Sequence, residues 1–130
     1  MCQLCDQILA SATSNYKLLK RVSECLLAHA VQLIDRGHIS RAIDMLFKCL
    51  QNEVNLLVLL SHRLKYVSRQ QARRRKLDLF NRIYAIFLNL SLCFQLKGKP
   101  QCCYPCLLEC QAISQLKKQL TDKEIPKNWG

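Results

Sequence analysis

Glycine, proline and aromatic residues are scarce in this chain. Glycine and proline each occur three times in 130 residues, and aromatic residues make up 7%. Without a glycine-rich loop the chain has no motif that would cradle a phosphate group. No segment alternates apolar and polar residues as a half-buried strand does, and helix-favouring Leu, Gln and Lys outnumber Val and Thr. These features predict an all-α protein.

Acidic residues are also few. Nine Asp and Glu residues stand against 20 Lys and Arg residues, which gives a formal net charge of +11. The carboxylates are scattered along the chain, so the sequence offers no pair for acid–base catalysis. Its histidines, His29, His38 and His62, do not belong to a recognised catalytic or metal-binding motif. We therefore expect a protein that is not an enzyme and that uses no cofactor.

Long apolar runs are missing as well. The run "VNLLVLL" at residues 54–60 is far too short to span a bilayer. The opening "MCQLCDQILASATSN" contains an acid early and lacks the apolar stretch of a signal peptide. Nine cysteines in such a chain are typical of free thiols in a reducing compartment. We expect a cytoplasmic or nuclear location without membrane contact.

Apolar residues recur at three- and four-residue steps along most of the chain, which predicts helices. "SATSN" at residues 11–15 is rich in helix-capping residues and predicts a break after a short opening helix. Gly37 stands where a left-handed C-terminal cap belongs. No glycine or proline separates Gly37 from Gly98, so "VSRQQARRRK", which loses the apolar period, predicts the next break, near residues 68–74. The expected helices cover residues 2–12, 16–36, 40–66, 76–98 and 101–120.

Pro105 is compatible only with the first turn of the last helix, so that helix is expected to begin nearer Tyr104. The predicted fold is thus four long helices, preceded by a short N-terminal helix and arranged as antiparallel hairpins. Residues 1–120 are expected to form a single helical domain, and the polar segment 121–130 an irregular tail with Trp129 as its one anchor.

Two windows of the chain share one pattern. "LLAHAVQLIDRGHISRAIDMLFKCL" at residues 26–50 and "FLNLSLCFQLKGKPQCCYPCLLECQ" at residues 87–111 align on Gly37 and Gly98. Each contains an apolar helix, a short turn and a second apolar helix. A small residue follows each glycine by five positions, Ala42 and Cys103, which lets antiparallel helices approach closely.

Within these windows, "IDRGHISRAIDML" and "LNLSLCFQLKGK" resemble units of the tetratricopeptide repeat. The resemblance implies a short array of helical hairpins that presents a groove to another protein. In the cochaperone branch of this family, Lys and Asn side chains clamp the carboxylate of a peptide, and Asn89 falls on an Asn position of that clamp. The two glycines are 61 residues apart, which is more than one repeat length, and only two units are visible where such arrays normally have three or more.

The run from Leu56 to Leu60 is apolar on every side, so a helix that buries one side of it leaves the other in need of cover. We therefore expect a non-enzymatic adaptor or complex subunit that binds another protein. The expected contact residues are Leu56, Leu57, Leu60 and Asn89. A second copy of the chain is an alternative partner.

A basic segment supports a different function. No aromatic residue lies between Tyr66 and Phe80, so binding of nucleic acid by this segment would depend on phosphate contacts rather than on base stacking. An acidic protein partner or the nuclear import machinery would recognise the same charges. The cations of this segment are Arg69, Arg73, Arg74, Arg75 and Lys76.

The cysteines leave one metal-binding alternative. Cys2 and Cys5 form a CxxC pair, as do Cys103 and Cys106, and four thiolates suit tetrahedral zinc. Cys102, Cys106 and Cys110 are spaced by four, however, which is one face of a helix and typical of packed thiols. We expect packed or surface thiols without a metal, and zinc held by the two pairs is the alternative.

Overall fold

The computed structural model describes residues 3–63 and 68–122, and within them the side chains of residues 15–61 and 68–121. The described residues form four α-helices and no strand, so the predicted all-α class and helical hairpins are confirmed. Consecutive helices pack against each other in chain order, and within the described ranges α4 packs only on α3. The helices are α1 (Gln3–Asp35), α2 (Ile39–Arg63), α3 (Arg69–Leu96) and α4 (Pro100–Asp122).

Three predicted helix boundaries are wrong. α1 runs through residues 11–15 without a break, because the helix propensities of Ser, Thr and Asn are only about 0.5 kcal/mol below that of alanine and no Gly or Pro interrupts the segment. α3 begins at Arg69, because the Ser68 side chain accepts a hydrogen bond from the Gln71 amide and caps the helix. α4 begins at Pro100, so Pro105 lies inside the helix rather than in its first turn. Trp129 and the rest of the predicted tail beyond Asp122 lie outside the described residues.

The two hairpin turns have the same structure. Gly37 and Gly98 have φ angles of +81° and +71°, which confirms the left-handed cap expected at Gly37. The His38 amide donates to the Leu33 carbonyl oxygen at 2.8 Å. The Lys99 amide donates to the Phe94 carbonyl oxygen, also at 2.8 Å. Both turns are therefore Schellman motifs, and each residue of the second turn follows its counterpart in the first by 61 positions.

Apolar side chains fill two clusters along the stack of helices. The cluster near the hairpin turns joins all four helices and includes the small residues Ala30, Ala42, Cys93 and Cys106. The cluster at the opposite end joins Tyr16 of α1 to Leu56 and Leu60 of α2 and to Leu79 of α3. Because α3 packs against α2 of the first hairpin and against α4 of the second, it connects the two hairpins.

α3 is the one helix in the described residues that is long and apolar enough to cross a membrane, judged by length and composition alone. A core helix of a soluble protein passes the same test. α3 packs against both α2 and α4, and its apolar face, including Leu79, Ile86 and Leu90, is buried in the two clusters.

Candidate protein-interaction surface

The α1–α2 and α3–α4 hairpins are equivalent to each other under a shift of 61 residues. The Cys49 thiol donates to the Ser23 carbonyl oxygen at 3.4 Å. At the corresponding positions, the Cys110 thiol donates to the Tyr84 carbonyl oxygen at 3.7 Å. Burial, with the Glu53 charge adding to its effect, raises the pKa of Cys49 to about 11, so this thiol stays protonated and is a poor nucleophile. These two contacts join the helices of each hairpin in the same way.

Each hairpin also carries an apolar groove between its two helices. The first groove, between α1 and α2, has a volume of about 290 Å³. The second groove, between α3 and α4, has a volume of about 260 Å³ and differs by having a third wall, made by Leu57 and Ser61 of α2. The first groove is lined by Asn15, Leu18, Leu19, Asn55, Val58 and Leu59. For five of these six residues, the residue 61 positions later lines the second groove. The five lining residues are Lys76, Phe80, Leu116, Gln119 and Leu120.

A buried ion-pair network fixes α2 against α3. Glu53 has no solvent exposure, and its two carboxylate oxygens lie 2.6 Å from Nε and 3.3 Å from Nη2 of Arg82. The guanidinium also donates to Asp78, one turn earlier on α3, and Asp78 in turn lies 3.5 Å from the Lys20 ammonium group of α1. Three helices therefore meet at this network, which couples the two hairpins.

Two opposing effects act on the pKa of Arg82. Burial disfavours the charged form and lowers the pKa, but the hydrogen bonds and charge of Glu53, together with those of Asp78, outweigh burial and raise the pKa of Arg82. Beside the network, burial raises the pKa of Tyr16, with the Asp78 charge adding to the effect. The Arg75 guanidinium lies over the Tyr16 ring, 4.4 Å from its centroid, as a cation–π pair.

The structure separates the residues expected to contact a protein partner. Leu56 and Leu60 are 0% and 2% exposed, so both side chains lie in the core. Leu57 is 38% exposed and lies in the second groove. Asn89 donates its side-chain amide to the Ala85 carbonyl oxygen at 2.7 Å, which leaves that donor engaged within its own helix.

The basic segment forms the first two turns of α3, where no acid accompanies it in the first turn. Its members point in different directions, because successive residues of a helix are about 100° apart. Arg75 stacks on Tyr16 and Lys76 lines the second groove, whereas Arg69 and Arg74 are exposed. Arg73 is half-buried and takes part in an interaction of its own.

The topology argues against zinc shared by the two CxxC pairs. Cys5 lies in the first turn of α1, whereas Cys103 lies just after the Gly98 turn at the other end of the array. The intervening length of α1 is about 45 Å at 1.5 Å per residue. Within the described residues no group of three or more His, Cys, Asp or Glu side chains could hold a metal ion. Cys2 and the Cys5 side chain lie outside the described residues.

Glu53 and Arg82 are not among the residues predicted from the sequence, although a signal was present. Glu53 lies on the apolar stripe of α2 between Leu46 and Leu60, and Arg82 lies between Leu79 and Ile86 on α3. A charge within an apolar helical stripe indicates a buried partner of opposite charge. The 29 residues that separate the pair hide the partnership in the linear sequence.

The chain matches no protein-family model, no curated protein and no solved structure.

Proposed function

We propose that this protein is a non-enzymatic adaptor or complex subunit that binds another protein through its helical surface, as the resemblance to tetratricopeptide repeats suggests. The observation that supports this function is the apolar surface left uncovered on the open stack of helices. Val54, Leu57 and Val58 form an exposed stripe on α2, each between 38% and 51% exposed. Side chains of this size grouped in stripes are typical of interaction sites.

A second exposed stripe lies on α3. Leu88, Leu92 and Leu96 follow one another at four-residue steps and are 46%, 41% and 57% exposed. In a closed four-helix bundle a central helix would have less free surface, because the fourth helix would return to pack against the first. Here α4 packs only on α3 within the described ranges, so apolar residues face solvent on several sides. Binding of a partner would remove this surface from water.

Affinity purification of the full chain from native cells, with nuclease treatment and a high-salt wash, tests this function. We expect a stoichiometric protein partner to survive both steps. Leu57→Asp places a charge in the second groove without touching the core and should reduce partner recovery more than Arg74→Ala does. Loss of every protein partner, or equal recovery with both variants, would contradict the adaptor function.

A nucleic-acid-binding module is the second candidate, supported by Arg69 and Arg74, the two cations of the basic segment that are exposed at the N-terminal end of α3. The helix dipole adds positive potential there. Fluorescence anisotropy with a labelled DNA duplex at about 50 mM and about 200 mM salt measures this activity. Affinity should fall at least tenfold over that interval. The double variant Arg69→Glu with Arg74→Glu should bind more weakly than the unaltered chain. Salt-independent binding, or binding that the double variant retains, would exclude it.

A further inference from the structure

The face of α3 that receives α2 has an exposed counterpart on α1. On α3 this face is buried: Leu79 and Ile86 have no exposure, and Arg82 is 8% exposed. The positions 61 residues earlier lie on α1 and face solvent, with Leu18 61% exposed. We call this set the outer face of α1. It consists of Leu18, Arg21, Val22 and Cys25, which correspond to Leu79, Arg82, Ile83 and Ile86.

Among the described side chains, the first groove lacks a wall in the same place. In the second groove, α2 supplies a third wall through Leu57 and Ser61. The described lining of the first groove comes from α1 and α2 alone, and Leu18 stands at its open side. A helix placed on the outer face of α1, as α2 is placed on α3, would supply the missing wall.

The charges on this face specify a further property of the occupant. Arg82 of α3 is neutralised by Glu53 from α2 and by Asp78 from its own helix. Its counterpart Arg21 has no ion pair among the described residues, and the counterpart of Asp78 is Lys17. A surface depression of about 430 Å³ lies here, lined by Lys17, Leu18, Lys20, Arg21 and Glu24. Lys20 is already paired with Asp78, which leaves Lys17 and Arg21 against Glu24, and this excess of positive charge favours an occupant that carries a carboxylate.

A second copy of this chain is a poor occupant. Stacking of a second copy in the manner of the hairpins would place its α4 on α1. The α4 residues that correspond to Glu53 and Leu57 are Ser114 and Lys118, both exposed. Ser114 offers no negative charge to Arg21, and Lys118 would bring a further cation towards the apolar groove.

From these observations we infer that the outer face of α1 binds an amphipathic helix of a partner protein. This helix carries a carboxylate that pairs with Arg21 and, four residues later, a large apolar side chain that enters the first groove. It would pack on α1 as the Glu53–Leu57 segment of α2 packs on α3. The inference rests on the proposed protein-binding function and names the class of partner.

A synthetic peptide of residues 39–63 is the probe, because this segment already packs on the equivalent face. For solubility its outward-facing Phe47, Val54 and Val58 are replaced by Gln, and a fluorophore is attached for anisotropy with the full chain. We expect the peptide with Glu53→Gln to bind about tenfold more weakly, since it loses a charge-assisted hydrogen bond. Arg21→Glu in the chain should abolish binding, and a Glu53→Lys peptide should restore it to that variant.

Leu108→Asp, on an exposed position of α4, is the matched control for Leu18→Asp on the outer face of α1. Only Leu18→Asp should weaken binding of the peptide. Bound peptide should also slow alkylation of the exposed Cys25 thiol and leave Cys102, near the Gly98 turn, unprotected.

Three results would overturn the inference. The first is absence of peptide binding. The second is binding that Leu18→Asp and Arg21→Glu leave unchanged, which would mean that the peptide replaces α2 on α3. The third is concentration-dependent dimerisation abolished by Leu18→Asp, which would identify a second copy as the occupant. Each leaves the proposed function standing if a protein partner survives the purification, so the two failures are distinguishable.

Discussion

Replacing Glu53 with alanine is expected to lower the free energy of unfolding by about 3 kcal/mol. Removing one partner of a buried ion pair costs about 3–5 kcal/mol, because the other charge stays buried without compensation. Arg82 is 8% exposed and would keep only Asp78, which also lies 3.5 Å from Lys20. Because Asp78 remains, the lower end of that interval applies.

Urea denaturation followed by circular dichroism at the helix band measures this loss. The control is Asp44→Ala, which removes an exposed acid from the same helix and should change stability by less than about 0.5 kcal/mol. The double variant Glu53→Met with Arg82→Leu removes both charges and should fall within about 1 kcal/mol of the unaltered chain.

A loss below about 1 kcal/mol for Glu53→Ala would contradict this prediction, since a solvated ion pair contributes that little. A double variant as unstable as the two single variants combined would contradict it too, because the two charges would then not be coupled.

Three other changes are expected to affect stability. The pKa of Cys49 is raised from 9.0 to about 11, so its protonated thiol stabilises the fold below pH 9, and this stabilisation is lost as the pH rises towards 11. Between about pH 8 and about pH 10.5, the free energy of unfolding of the unaltered chain should fall by about 2 kcal/mol more than that of Cys49→Ala, measured in parallel urea titrations. Identical pH profiles would contradict this. Gly37→Ala and Gly98→Ala should each lower the free energy of unfolding by about 1 kcal/mol in the same assay. An added Cβ meets no neighbour within 4 Å, so only the left-handed backbone is strained. Unchanged stability at either turn would speak against that conformation. Pro105→Ala should stabilise the chain by about 1–3 kcal/mol by giving α4 the missing amide, and a lower thermal midpoint would show that the ring contributes packing instead.

The helices and both hairpin turns were predictable because their causes are local. Apolar residues at three- and four-residue steps identify the buried stripe of each helix, and Gly37 has the positive φ that its position predicted. The boundary errors have local causes too. Capping residues at 11–15 resemble a break but cost too little to interrupt α1, and the cap at Ser68 starts α3 before the basic segment rather than after it.

The candidate site was predicted less well. Leu57 was chosen together with Leu56 and Leu60 because all three belong to one apolar run, and the helix turns only Leu57 of the three towards solvent. The ion pair of Glu53 with Arg82 joins helices 29 residues apart, and no local pattern identifies such partners. The equivalence of the two grooves also required the structure, since few of their residues are identical.

Near neighbours in the sequence are enough to predict the helical class, the two glycine turns and the alignment of two windows 61 residues apart, because backbone geometry and apolar periodicity are local. Which of two equivalent faces is covered depends on how the helices pack. Leu79 and Leu18 occupy matching positions on α3 and α1, yet the first has no exposure and the second is 61% exposed. The difference arises because α2 packs on α3, whereas no described helix packs on the outer face of α1. Burial depends on what the fold places beside a residue rather than on the residue itself.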